Sequence, residues 1–98
     1  MVRQIVVTAT AEKQIDAYLT FIAKQWPNKV VKQAASGLKE KLLRIATDPE
    51  LYIGISERKG VRRCFHPPHL HIYFSVDESK VTVLSVFDAR QDPDKLKI

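Results

Sequence analysis

The sequence predicts an α+β domain: a helical hairpin packed on one face of a curved, mostly antiparallel sheet, in the order β-α-α-β-β-β. Three observations predict it. Between residues 10 and 48, apolar side chains recur at helical spacing, and Pro27 breaks the series once. From His69 to Val76 they alternate with polar ones, the period of a half-buried strand. Residues 81–87 are strongly β-prone and apolar on both faces, which places them inside the sheet.

The first strand is expected over residues 3–8, carried by Ile5, Val6 and Val7. Thr10 is positioned to cap the first helix, with Glu12 favourably placed in its first turn. Ile15, Tyr18, Leu19, Ile22 and Trp26 share one face of that helix. Pro27 ends it, and Asn28 can cap the next. The second stripe runs through Val31, Ala34, Ala35, Leu38, Leu42 and Ile45, with Lys32, Lys39, Glu40, Lys41 and Arg44 facing solvent. Asp48-Pro49 closes it. So short a link makes the helices close to antiparallel. Residues 50–60 read as a connection and 61–65 as a short strand, interrupted by Pro67-Pro68. In the next strand Leu70, Ile72, Phe74 and Val76 share one face, and His69, His71, Tyr73 and Ser75 the other. Asp77 to Lys80 forms a hairpin turn before the last strand. With the hairpin on one side, the other sheet face is expected to be free.

The 98 residues amount to one domain, 1–98. A hydrophobic fraction of 45% with 28% charged residues is ordinary for a globular chain and argues against disorder. The lone Cys64 excludes an internal disulfide framework and a Cys-rich zinc finger. No apolar run approaches the ~18 residues of a membrane span. No secretory signal is recognisable, so a cytoplasmic location without membrane association is expected. Sixteen Lys and Arg against eleven Asp and Glu give a net charge of +5 with neutral histidines. Such a surface attracts nucleic acid, ribosomes or acidic protein segments, and it also serves plain solubility.

Three groups of residues carry candidate chemistry. In Arg58-Lys59-Gly60-Val61-Arg62-Arg63, four of six residues are cationic, which suits a nucleic-acid backbone or an acidic partner, or simply a solvated loop. On a strand, Arg62 and Arg63 point to opposite faces. The second group is His66, His69 and His71 with Cys64. Thiolate and imidazole are good zinc ligands, but no ligand-spacing frame is present, so neither a metal nor a cofactor is expected. Arg90 is the third: it either holds a phosphate or closes a clasp with Asp88, Asp92 or Asp94.

The ordered series of segments resembles the RelE/ParE superfamily, toxins of bacterial type II toxin–antitoxin modules that include plasmid-stabilisation proteins. The likeness runs through Thr10-Ala11 and the Tyr18-bearing helix to Leu43-Arg44-Ile45-Ala46-Thr47-Asp48-Pro49 and Gly54. It continues with Gly60-Val61-Arg62-Arg63, His69-Leu70-His71-Ile72-Tyr73, and Val86 through Pro93. The resemblance implies the superfamily fold and a toxin silenced by a cognate antitoxin. RelE-like members cut mRNA on the ribosome, whereas ParE-like members inhibit DNA gyrase. The first activity is the expectation, with gyrase inhibition or an inactive, degenerate member as alternatives. Under the nuclease reading His71, Arg90, Arg63 and Tyr73 are catalytic, and Arg58, Lys59, Arg62 and Arg63 bind nucleic acid. Two departures bear on it. His71 stands where the superfamily usually has Arg or Lys; it weakens a phosphate clamp yet keeps acid–base chemistry near neutral pH. No Tyr, His, Trp or Phe follows Arg90.

Overall fold

The computed structural model describes residues 2–96. Its elements are β1 (Gln4–Val7), α1 (Ala9–Gln25), α2 (Asn28–Thr47), β2 (Ile53–Gly54), β3 (Val61–His66), β4 (Leu70–Val76) and β5 (Lys80–Asp88), with single 3₁₀ turns at Pro49–Leu51 and Pro93–Lys95. The sheet order is β1-β5-β4-β3-β2. β1 runs parallel to β5 and every other pair is antiparallel. The expected α+β architecture is therefore present, with one strand more than the sequence predicts. Ile53 and Gly54, inside the expected connection, pair with Arg63 and Arg62 and form the sheet edge.

Both helix starts differ from expectation. Thr8, not Thr10, caps α1: its hydroxyl accepts from the Ala11 N–H at 3.2 Å. The same hydroxyl reaches the Leu84 carbonyl at 3.3 Å, fixing the helix start to β5, so tertiary anchoring selects the earlier threonine. Pro27, extended in conformation, occupies the cap of α2, which makes no side-chain cap bond; Asn28 is already helical. Trp26 ends α1 with 56% of its surface exposed, at the hairpin tip and outside the core. Ala35 also faces solvent.

The core lies between the hairpin and the sheet. Ala11, Leu38 and Ile45 from the helices meet Cys64, Leu70, Ile72, Phe74, Val81, Val83 and Val86 from the strands. Val83 and Val86 share this face although they are three residues apart. A bulge between Tyr73 and Phe74 accounts for it: Tyr73 faces Ser85 and Phe74 faces Val83, leaving Leu84 unpaired. Gln14 of α1 seals the irregularity. Its amide oxygen accepts from the Val86 N–H at 2.7 Å and from the Ser85 hydroxyl at 3.2 Å. The turn at Asp77 is closed likewise: its carboxylate accepts from the Ser79 and Lys80 N–H groups, which holds its pKa below the ordinary carboxylate value.

The opposite sheet face is not wholly free, contrary to expectation. Val61, Tyr73 and Phe87 form a second, smaller cluster there, with Ile55, Leu84 and Leu96 packed against it. The loop after β2 and the segment after β5 supply Ile55 and Leu96, a partial cover where the hairpin supplies a full one.

Candidate functional site

The alternation of β3 and β4 decides which candidates can meet. Arg63 is directly opposite Tyr73, and Phe65 directly opposite His71. His71 in turn faces Phe87 across β5. These side chains share the open face, since directly opposed residues project to the same side. Phe65 and His71 have ring centroids 5.2 Å apart at an interplanar angle of 45°, and His71 and Tyr73 6.4 Å at 42°. The result is a row of three rings beside a guanidinium.

Within that row the chemistry is constrained. Burial, and secondarily the nearby Arg63 charge, hold the His71 pKa below its ordinary value. The imidazole is thus neutral at physiological pH and suited to accept a proton rather than give one. Its Nδ1 is buried and has no hydrogen-bond partner among the described residues, so the ring is held by packing against Phe65 and Tyr73 and not by a hydrogen bond at that nitrogen. Tyr73 is only 5% exposed, packed against Val61 and Phe87.

Arg90 lies elsewhere. Its guanidinium makes two bonds to Asp88, Nε to Oδ1 at 3.0 Å and Nη2 to Oδ2 at 2.6 Å, and its own N–H also donates to Oδ1 at 2.9 Å. The clasp expected as one of two alternatives is therefore formed, with Asp88 as the partner. Hydrogen bonding to Arg90 holds the Asp88 carboxyl below the usual range. The guanidinium also sits 5.7 Å from the ring centroid of Phe21 on α1. Asp88 and Arg90 form one lip of a groove of about 470 Å³ whose walls include Tyr18, Phe21, Leu70 and Val86. That groove is on the helix side of the sheet. Arg90 is thus not assembled with His71, Tyr73 and Arg63.

The basic stretch divides as its alternation requires. Arg62 turns to the helix side, and its Nη1 donates to the Tyr52 carbonyl at 2.6 Å, capping the chain just before β2. This contact ties Arg62 to the start of β2, on the face opposite Arg63. Arg63 stays on the open face. Arg58 and Lys59 are exposed in the loop that Gly60 turns with φ +82, a conformation that favours glycine. The histidines divide too. Cys64 is buried beneath the helices, and His66, two residues on, has its ring 3.9 Å from where a Cβ on Gly37 of α2 would stand. His71 projects from the other side of the sheet. Among the described residues no three of His, Cys, Asp and Glu cluster as metal ligands.

Two contributors went unread in the sequence. Gln14 has no motif: a glutamine one residue before the apolar Ile15 is unremarkable until the bulge is known. Ile53 carried a signal, since Leu51, Ile53 and Ile55 alternate with other residues at strand period.

Comparison with known proteins bears on this geometry. Residues 5–93 match the family model described as ParE toxin of type II toxin–antitoxin system, parDE. No curated protein matches the sequence. Among solved structures, the chromosomal ParDE toxin–antitoxin system of Pseudomonas aeruginosa superposes with a TM-score of 0.76 at 16% identity, over 91% of this chain and 98% of that one. The toxin–antitoxin complex RelBE2 of Mycobacterium tuberculosis gives 0.60 at 13% identity, over 90% and 99%. A conserved hypothetical protein of Helicobacter pylori gives 0.56 at 16%, over 90% and 94%. At such identities the structural likeness concerns the fold, and the family assignment rests on the matched model. With nine-tenths of its length inside that match, the chain belongs to the ParE toxin family of type II toxin–antitoxin systems.

Proposed function

We propose that the chain acts as a ParE-like toxin that binds its target without cleaving nucleic acid, with DNA gyrase as that target, and that an antitoxin encoded with it keeps it silent. The observation that carries this reading is the separation of Arg90 from His71. Cleavage of RNA by its own 2′-hydroxyl needs a base, an acid and a cation at one phosphate. Here the base candidate His71 has Arg63 near it on the open face, but Arg90, the other candidate cation, is clasped by Asp88 on the helix side. Binding makes no such demand. The ParE family match and the likeness to ParDE and RelBE2 assemblies support the toxin and antitoxin parts of the reading.

The ribosome-dependent nuclease remains the second reading, favoured by Arg63, His71 and Tyr73 lying together on one face. Two assays on the same purified protein separate the two. A supercoiling assay with gyrase should show inhibition, and a ribosome-programmed mRNA assay should show no cut. Ribosome-dependent cleavage lost in His71→Ala would replace the first reading by the second. Neither activity, with no growth arrest on expression, would mark a degenerate member.

A further inference from the structure

The groove edged by Asp88 and Arg90 combines apolar walls with polar groups that have bonds to spare. Its α1 wall is a single helix face, where Gln14, Tyr18 and Phe21 follow one another at four- and three-residue steps. Ala17 stands between them, and its short, exposed side chain leaves the space open. Leu70 and Val86 line the sheet side. A volume of about 470 Å³ is that of a small-molecule site. The Val86 N–H can only donate, so the Gln14 atom it meets at 2.7 Å is the oxygen. The Gln14 Nε2 is then left with both hydrogens unused among the described residues, and it is not sealed from solvent. The Tyr18 hydroxyl makes no hydrogen bond among the described residues either, and burial pushes its pKa up, so it stays neutral and can both donate and accept. Asp88 Oδ1 accepts two bonds from Arg90 and Oδ2 only one, which leaves Oδ2 room for another donor. The Asp88–Arg90 pair carries no net charge, and Phe21 presents a ring that is 44% exposed.

We infer that this groove is a binding site for a neutral planar ring with a carbonyl beside a ring N–H, the edge shared by uracil, thymine, hypoxanthine and guanine. The carbonyl accepts from Gln14 Nε2, the ring N–H donates to Asp88 Oδ2, and the Tyr18 hydroxyl meets the next group of the edge. The ring itself lies against Phe21. Gln14 is held at Val86, and Val86 and Asp88 are two residues apart on β5, about 6.6 Å along the strand, so one ring edge reaches both. Complementarity selects this occupant. An anion would stand beside the Asp88 carboxylate, and a cation beside the Arg90 guanidinium. The indole or phenol of a protein side chain has no carbonyl for Gln14. Adenine and cytosine have no ring N–H on their pairing edge for Asp88. Each of these leaves a polar group of the groove unpaired. The inference concerns the helix side of the sheet and stands independently of which target the toxin reaches.

The test follows the isotope-labelled full chain by NMR. The side-chain amide signal of Gln14, identified by its loss in Gln14→Glu, reports directly on a ligand at Nε2. Inosine and uridine carry no phosphate and should shift that signal, whereas adenosine and cytidine should bind at least about tenfold more weakly. Ala17→Leu fills the groove from an exposed helix position, so it should abolish binding and leave the thermal melt unchanged. Tyr18→Phe keeps the ring and should weaken binding about threefold to tenfold. Short oligouridine and oligoadenosine identify the source of the base. The same Gln14 shift at lower concentrations of oligouridine than of uridine supports a base within a strand, and a shift confined to the free nucleosides supports a free nucleoside. Four outcomes overturn the inference: no Gln14 shift with inosine or uridine, equal binding of adenosine, binding unchanged in Ala17→Leu, or tighter binding of indole, which would assign the groove to a protein side chain.

Discussion

The two faces of β4 belong to one strand and meet opposite fates. Leu70, Ile72 and Phe74 point to the hairpin and are fully enclosed by α1 and α2. His71 and Tyr73, one residue away in each case, point to a face covered only in part by Ile55 and Leu96. The helix face is closed down to its irregularities: the bulge that β5 makes there has its exposed N–H taken by Gln14. The open face leaves the His71 Nδ1 without a partner and Ile53 and Phe65 in solvent. The difference teaches which side stability lives on. The helix face is closed by packing almost throughout, although the buried His66 Nδ1 beneath α2, like the His71 Nδ1, finds no partner among the described residues, while a face with unpaired cations and bare apolar side chains is left for contact with something else.

The largest test of that contrast lies in the core. Phe74→Ala should cost about 3–5 kcal/mol, because the cavity opens beneath the hairpin where nothing can collapse to fill it. Chemical denaturation measures it directly. Phe65→Ser, on the open face of the neighbouring strand, should change the same free energy by no more than about 0.5 kcal/mol. Comparable costs at the two sites would break the comparison. Next in size is Gln14→Ala, which leaves the Val86 N–H and the Ser85 hydroxyl buried without an acceptor and should cost about 1–3 kcal/mol. Gln14→Glu keeps the oxygen and should recover most of that loss. If both variants behave alike, the bulge is held by its neighbours and the amide contributes little.

How much of this was legible depends on how local each signal is. Periodicity reveals the helices and strands because 3.6 and 2.0 are properties of the chain itself. It therefore also placed Arg62 and Arg63 on opposite faces before any contact was known. The start of α1 was misplaced at Thr10 because two threonines stood in reach of the same helix. The choice of Thr8 was made by Leu84, more than seventy residues away. The sequence places residues 53 and 54 in a connection, because a two-residue strand is held only by its partner, Arg62 and Arg63. The candidate site was legible residue by residue but not as an assembly. His71 and Arg90 are both plausible in a linear motif, and only the sheet between them shows that they do not meet. The Asp88 clasp was within reach of sequence reasoning, since its carboxylate lies two residues from Arg90, yet nothing local ranks Asp88 above Asp92.

Acidification should expose a smaller difference between the faces. His66, beneath α2, and His71, on the open face, are both held below their ordinary pKa, in each case first by burial and then by a nearby cation, Lys41 and Arg63 respectively. The unfolded chain then takes up protons before the folded one does. Stability is unaffected above the unfolded value of about 6.5, falls as pH drops through it, and levels off below the folded values. Melting temperature measured from pH 7.5 to pH 5, about the range where histidine titrates, should therefore decline. His66→Gln should flatten the decline more than His71→Gln, because α2 closes over the first ring and only strand neighbours surround the second. A larger effect at His71 would mean that the open face is the more tightly sealed of the two.

The smallest effect on stability is expected at Arg90, and it is the most informative about function. Its pair with Asp88 is exposed to solvent and screened by salt, so Arg90→Ala should leave the melting temperature nearly where it was. What matters is how it combines with His71→Ala in a growth-arrest assay. If a single phosphate lay between the two side chains, they would act as a unit, and the double variant would be no worse than the more severe single one. Placed on opposite sides of the sheet, they touch different surfaces and share no partner, so their effects on arrest should simply add. Additivity would leave the clasp as a feature of the α1 groove and keep the open face as a binding surface. Non-additivity, with both proteins still folded, would bring Arg90 and His71 to one substrate and return the nuclease reading to first place.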